Sequence, residues 1–358
     1  MKIALLTVYP PNRIPGTRYR IESYLPILHE AGFEVEWHSL FSLHAYERFL
    51  SPQTSLWRKG AIFSAGFFKL LIKALMRDKV DGVYLYREAT FLGLPIVELL
   101  WMRRLPVLMD FDDAIWLLDT SEQFRRFAWL KSRRKTALLL RRARLVTVCN
   151  EYLASYARQY AKEVWIIPTT VNTEVYKPPA FRASSPIVIG WSGSPTTLAH
   201  LLTVEEALGS LHAKYGDQIR FLFVGAPNYR PPFPAEVLPW TPRTEVSHLR
   251  RMHIGIMPLP DTEWSLGKCA LKALLYMAMG IPAVVSPIGM NREVVQDGVN
   301  GLWARTLKEW VDKLSLLIES PTLRAQLGQA ARYTVEARYS VRANASQYVE
   351  AFRTAFAQ

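Results

Sequence analysis

Two lysines one helical turn apart, Lys268 and Lys272, follow Gly267 inside the segment 263–286. Residues four apart share a helix face. The first turn of a helix carries unpaired N–H groups and the positive end of the dipole, so a lysine there opposes helix stability. Its presence suggests that an anion is served, because a diphosphate would satisfy the N–H groups and both ammonium groups together. Solvated lysines are the alternative, and the otherwise apolar run 270–279 argues against it. A second candidate is the acidic cluster Asp110, Asp112 and Asp113, which closes a strand-like run. Carboxylates at a strand end can bind a metal, act as a base or orient a sugar hydroxyl, whereas an N-cap is the structural alternative. A third is the loop 10–20, where Gly16 lets backbone approach a ligand and Arg18 and Arg20 offer guanidinium forks to a phosphate or carboxylate. No Gly-x-Gly-x-x-Gly fingerprint is present there. The turn 190–195, with Gly193 and Ser194, could bring backbone close to a phosphate or sugar, although an ordinary strand-to-helix connection looks the same.

These segments must be positioned by something, and the pattern around them is an alternation of strands and helices. Apolar runs at 2–8, 34–38, 82–86, 106–111, 145–148 and 164–167 read as buried strands separated by helix-length segments. A helix is expected over 18–31, kinked at Pro26 and stopped by Gly32. Four prolines between Pro168 and Pro186 break the pattern and mark a linker. The alternation restarts with strands at 187–191, 219–224, 254–258 and 282–286, and with helices at 197–215, 268–279 and from 307 to the end. The fold class is therefore α/β, with two Rossmann-like parallel-sheet domains facing a cleft. The domains are 1–170, a linker 171–186, and 187–338. Sheets of this kind bind ligands at the carboxyl ends of their strands, where the candidate segments lie.

The chain has 358 residues, 50% of them hydrophobic, and a net charge of +13. That excludes a disordered chain and favours about two domains. Residues 1–178 hold 26 Lys and Arg against 17 Asp and Glu, so most of the excess sits in the first half. No run is long and apolar enough for a membrane span, and Met1 leads straight into a strand-like run, so a cytoplasmic location is expected. Two cysteines, Cys149 and Cys269, are too few for a Cys-rich zinc site, and the histidines do not cluster at ligand spacing. Two basic stretches remain. The first, 63–77, interleaves Phe67, Phe68, Leu71 and Leu75 with Lys69, Lys73 and Arg77; the second, 125–144, holds nine Lys and Arg and no acid. A basic amphipathic helix can lie on an anionic membrane surface, or it can pack its apolar side on the sheet. Nucleic acid is disfavoured, because no recognition motif accompanies the charge.

Across 263–301 the chain resembles glycosyltransferases of the GT-B fold, in particular the retaining, nucleotide-sugar-dependent family 4. The matching residues are Gly267 and Lys268, Lys272, the run Tyr276-Met-Ala-Met-Gly-Ile-Pro282, and Glu293-Val-Val-Gln-Asp-Gly-Val-Asn-Gly301. Arg18-Tyr-Arg20, Val146-Thr147 with Asn150, Ile167-Pro-Thr169 with Val171-Asn172, and Gly190-Trp-Ser-Gly193 are similar to the family's connecting elements. The resemblance implies a hexosyltransferase whose second domain binds the nucleotide diphosphate sugar and whose first domain binds the acceptor, with no cofactor and no metal. It also implies a C-terminal helix over 339–358 that crosses back to the first domain. Lys268 and Lys272 would hold the diphosphate, with Gly16, Arg18, Gly193, Ser194 and Glu263 near the donor. Asp112 and Asp113 would take the catalytic role of orienting sugar or acceptor hydroxyls. The implied partners are a nucleotide-sugar donor, a glycan, lipid-linked or small-molecule acceptor, and an anionic membrane surface on the inner face, making the protein peripheral. One departure stands out. The family's two glutamates, eight positions apart, correspond here to Gly267 and Leu275. A catalytically impaired homologue that binds a nucleotide sugar or supports a partner enzyme, or a nucleotide-sugar epimerase, is the alternative.

Overall fold

The structure, a computed structural model, describes residues 1–76, 79–117, 132–180 and 185–357. It divides into two units, Met1–Thr169 with Asn344–Gln358, and Thr170–Ala343. Part of the 171–186 segment, residues 181–184, lies outside the described residues, as does the basic run from Arg125 up to residue 131.

In the first unit the order is β1 (Lys2–Thr7), α1 (Pro15–Arg20), α2 (Leu25–Glu30), β2 (Glu34–Ser39), α3 (Leu43–Leu50), α4 (Leu56–Met76) and β3 (Gly82–Tyr86). It continues with α5 (Ile96–Met102), β4 (Val107–Phe111), α6 (Arg133–Arg142), β5 (Leu145–Val148), α7 (Glu151–Ala157) and β6 (Val164–Ile166). The sheet order is β2-β1-β3-β4-β5-β6, and every pairing is parallel. Strands β3, β4 and β5 are buried along their whole length, as their unbroken apolar runs require when helices cover both faces. The helix expected over 18–31 is instead two short helices separated by a 3-10 turn at Glu22–Tyr24. Pro26 has no N–H and fixes its φ, so it stands in the first turn of α2 rather than kinking a longer helix.

The second unit runs β7 (Ile187–Ser192), α8 (Leu198–Leu202), α9 (Glu205–Tyr215), β8 (Ile219–Val224), β9 (Glu236–Leu238), α10 (Glu245–Arg250) and β10 (Ile254–Met257). It then continues through α11 (Glu263–Leu266), α12 (Leu271–Ala278), β11 (Ala283–Val285), α13 (Met290–Val294), β12 (Gly301–Trp303), α14 (Leu307–Glu319) and α15 (Pro321–Thr334). Its parallel sheet has the order β12-β11-β10-β7-β8-β9. Chain direction across the sheet reverses between β7 and β10, so the loops leaving these two strands flank the switch point at which doubly wound sheets bind ligands. A cluster including Trp191, Phe221, Phe223, Leu208 and Trp310 fills the core beside these strands.

The last helix, α16 (Val341–Phe356), belongs from Asn344 onward to the first unit. Its aromatic residues account for that. Tyr348 stacks on Tyr24 with ring centroids 3.9 Å apart, and its hydroxyl donates to the Arg20 carbonyl at 2.5 Å.

Candidate functional site

In the first unit, the first turn of α1 and the loops after β3 and β4 bring Gly16, Arg87, Asp112 and Asp113 together. Arg87 directly follows β3 with φ +59, in the left-handed region that non-glycine residues rarely occupy. From there its guanidinium reaches both carboxylates, with Nε donating to Asp112 Oδ1 and Nη2 to Asp113 Oδ2, each at 2.6 Å. The Tyr86 hydroxyl donates to Asp112 Oδ1 at 2.8 Å, and burial pushes its own pKa well up, keeping it a phenol donor. Gly16 lies against this group: a Cβ there would stand 2.0 Å from Tyr86 Oη and 3.2 Å from Asp112 Oδ2. The pair Asp112 and Asp113 is thus held as a set of oriented hydrogen-bond acceptors, a geometry suited to hydroxyls.

Asp110 and Arg20 do something else. Asp110 is 0% and Arg20 1% exposed, and they form a two-pronged ion pair at 3.0 and 2.5 Å. Thr147 Oγ1 adds a 2.7 Å bond to Asp110, and Arg20 Nη1 donates to the Ile167 carbonyl at 2.5 Å. The sequence grouped Arg20 with Arg18 as an anion fork and Asp110 with the other acids. Burial removes both from any ligand and makes them a clamp between α1 and strands β4 and β5. Arg18 is half-buried, with its guanidinium 5.5 Å from the Tyr19 ring centroid.

In the second unit, the candidate residues gather where the sheet switches direction. Lys268 is not in a helical first turn as the sequence suggested. It lies in the connection 267–270, between the end of α11 and the start of α12, and Lys272 is the second residue of α12. The reason is Ala270, whose φ of +54 is a left-handed conformation that a continuous helix cannot contain. Such a residue costs on the order of 1 kcal/mol and persists where surrounding structure demands it. Ala270 occupies the N-cap position of α12 and contributes no side-chain cap. Aromatic faces support the two cations: Lys268 Nζ is 4.6 Å from the Trp264 ring centroid and Lys272 Nζ 5.7 Å from that of buried Trp191.

His200, on α8, completes the group and was not singled out in the sequence. Its pKa is lowered to about 4, first by burial and then by the charges of Lys272 and Lys268. Its Nδ1 is buried with no hydrogen-bond partner among the described residues. Burial first, and then the two ammonium charges, keep this imidazole neutral, so positive potential from both lysines reaches His200. A lone histidine in the middle of a five-residue apolar helix gives no signal in sequence; only the fold places it beside Lys272.

The remaining expected residues have local roles. Gly193 could not carry a side chain, since a Cβ would stand 2.1 Å from the Trp191 ring and 2.8 Å from Thr197 Oγ1. Ser194 caps the following 3-10 turn: its hydroxyl is paired with Thr197, whose Oγ1 accepts from Ser194 N at 3.0 Å. Glu263 is an exposed first-turn residue of α11, where a carboxylate complements the dipole. Gly267 and Leu275 are both buried, Leu275 inside the packed face of α12. Among the described residues, no group of three or more His, Cys, Asp or Glu side chains is arranged to hold a metal ion.

Comparison with known proteins bears on both units. Residues 187–320 match the family model described as Glycosyl transferases group 1. Comparison with curated proteins gives no match. Among solved structures, sucrose-phosphate synthase from Thermosynechococcus elongatus superposes with a TM-score of 0.72 at 16% identity, covering 99% of each chain. An Anabaena protein, HepE, in complex with UDP-glucose gives 0.67 at 15% identity, covering 99% of this chain and 100% of that one. A glycosyltransferase from Rickettsia africae gives 0.65 at 13% identity, covering 100% and 99%. Residues 187–320 are thus similar to a glycosyl transferases group 1 domain, and the chain as a whole has the GT-B fold.

Proposed function

We propose that the protein is a glycosyltransferase that moves a hexosyl group from a nucleotide diphosphate sugar to a glycan, lipid-linked or small-molecule acceptor. The observation that carries this reading is the convergence of Lys268, Lys272 and His200 at the start of α12, beside the switch point of the second sheet. A diphosphate there meets N–H groups and two ammonium groups. Negative charge on it grows as the glycosidic bond breaks, so these groups stabilise the transition state more than the bound donor. Binding of UDP-glucose by HepE makes UDP-sugars the first donors to try. In the first unit, Asp112 and Asp113, fixed by Arg87 and Tyr86, orient hydroxyls of the sugar or the acceptor. Retention of anomeric configuration and independence from metal belong to the reading through the family resemblance. A cytoplasmic location against the membrane belongs to it through the basic, apolar surface of the first unit.

The test is incubation with a panel of nucleotide sugars, with and without candidate acceptors, following nucleotide release and the identity of the sugar. Lys268→Ala should lower turnover by about a hundredfold, the scale of removing one donor that stabilises developing charge. Unchanged turnover in that variant would refute the assignment. A second reading rests on Leu275, which puts an apolar, buried side chain where the family has a glutamate. It makes the protein a nucleotide-sugar binder that lacks transfer, and donor binding without nucleotide release under any acceptor would favour it. Altered sugar without an acceptor would indicate epimerisation.

A further inference from the structure

The outer surface of α4 is built the wrong way round for water. Of its 21 residues only Gly66 and Leu70 are buried. These make the contact with the rest of the unit: a Cβ on Gly66 would stand 2.2 Å from the Leu40 carbonyl oxygen, and Trp101 Nε1 donates to the Leu70 carbonyl at 3.3 Å. The opposite side should be polar. Instead Trp57 is 70%, Phe68 57%, Ile72 52%, Leu75 61% and Met76 75% exposed. Phe68, Ile72, Leu75 and Met76 fall at helical spacing, so they form one stripe. The helix contains Arg58, Lys59, Lys69 and Lys73 and no acidic residue. Partial burial and the nearby charge of Lys73 lower the pKa of Lys69, as expected where cations crowd one stretch of helix. Beside the end of α4 opens a pocket of about 340 Å³, with walls from Leu75, Val80 and Leu100 and cations from Lys73, Arg103 and Arg104. Lys73 is shared there with His38 at 3.1 Å and Glu36 at 3.7 Å.

We infer that α4 docks the protein on the surface of an anionic lipid bilayer, with its apolar stripe at acyl-chain level and the adjoining pocket taking an anionic lipid head group. No helix among the described residues is long and apolar enough to cross a membrane, so the contact lies along the surface. Charge complementarity selects the occupant. A second copy of this chain would set the same cations against one another, whereas a bilayer rich in anionic lipid supplies both the hydrocarbon for the stripe and the countercharge for the lysines and arginines. The inference takes up the peripheral-membrane part of the functional reading and is independent of the transferase part, since docking needs no donor.

The experiment is co-sedimentation of the full chain with vesicles of phosphatidylcholine alone and of phosphatidylcholine mixed with phosphatidylglycerol, at low and high salt. The expected result is binding to the mixed vesicles that weakens with salt. Arg58→Gln and Lys69→Gln should each lower it by about fivefold, and the double variant Phe68→Ser with Ile72→Ser by about tenfold or more. All these positions are on the exposed side, and circular dichroism of each variant checks the fold. Equal binding to both vesicle types, or no binding to either, overturns the inference. So does light scattering that shows a dimer dissolved by the Phe68→Ser, Ile72→Ser pair, because the stripe would then be covered by a second copy. Donor turnover measured in the same preparations, without vesicles, keeps a failure of docking distinct from a failure of the transferase assignment.

Discussion

His200 couples donor binding to pH, and the structure fixes the sign and the ceiling of the effect. In the unliganded site the imidazole has a pKa of about 4, against an ordinary value of 6.5, because it is partly buried near Lys272 and Lys268. A bound diphosphate offsets both lysine charges and so raises the pKa by their share of the lowering, while the larger share, due to burial, remains. Between pH 4 and 6.5 the liganded protein therefore holds a larger fraction of a proton than the free protein, so affinity rises as pH falls through 6.5. The ratio of the two acid constants sets a ceiling of about 300-fold, and solvent around the partly exposed ring cuts this to roughly tenfold between pH 7 and pH 5. The assay is titration calorimetry with UDP-glucose, whose diphosphate does not itself titrate in this window, in two buffers of different ionisation heat. The wild-type protein should take up a measurable fraction of a proton on binding at pH 5, and His200→Gln none. Proton uptake of the same size in His200→Gln, or affinity flat with pH in the wild type, would refute the placement of the diphosphate between these groups. The same shift has a stability side. The unfolded chain binds the proton first as pH falls, so the unliganded protein loses stability from pH 6.5 down to about 4, and a bound donor protects it.

Two further outcomes follow from the packing. Gly193→Ala forces a Cβ into the Trp191 ring, which is fully buried and cannot retreat. It should weaken donor binding at least tenfold by displacing the loop after β7, seen by calorimetry, while far-ultraviolet circular dichroism stays unchanged; undiminished binding would count against a role for that loop. Asp110→Asn leaves Arg20 buried without its full countercharge, which costs about 3–5 kcal/mol. The thermal midpoint of the first unit should drop by roughly 10 °C, and a drop of only a degree or two would mean that Asp110 is not part of a structural clamp.

Much of the fold was legible in the sequence, because buried parallel strands are short apolar runs whose residues need no partner beyond the neighbouring strand. Strands such as 82–86 and 145–148 are seen at the positions read from composition alone. The two short edge strands of the second sheet were not legible. Residues 236–238 and 301–303 carry too few apolar residues to give a signal, and they are strands only because β8 and β11 offer them a ladder. Helix starts were also misread where one residue decides. The α-helix expected from Lys268 begins at Leu271 because Ala270 turns left-handed, and nothing about an alanine announces that.

By itself the sequence determined the α/β alternation, the basic excess, and two lysines and an acidic cluster at strand ends. Period and composition act over a few residues, so they are written locally. Only the tertiary structure decided which charges face one another. It buried Arg20 against Asp110, ninety positions away, and left Arg87 to hold Asp112 and Asp113. It set His200 beside two lysines from a distant segment. It also turned the apolar stripe of α4 outward, where amphipathicity alone left either side possible. Coulombic pairing and burial depend on distance in space, and chain separation carries no record of it.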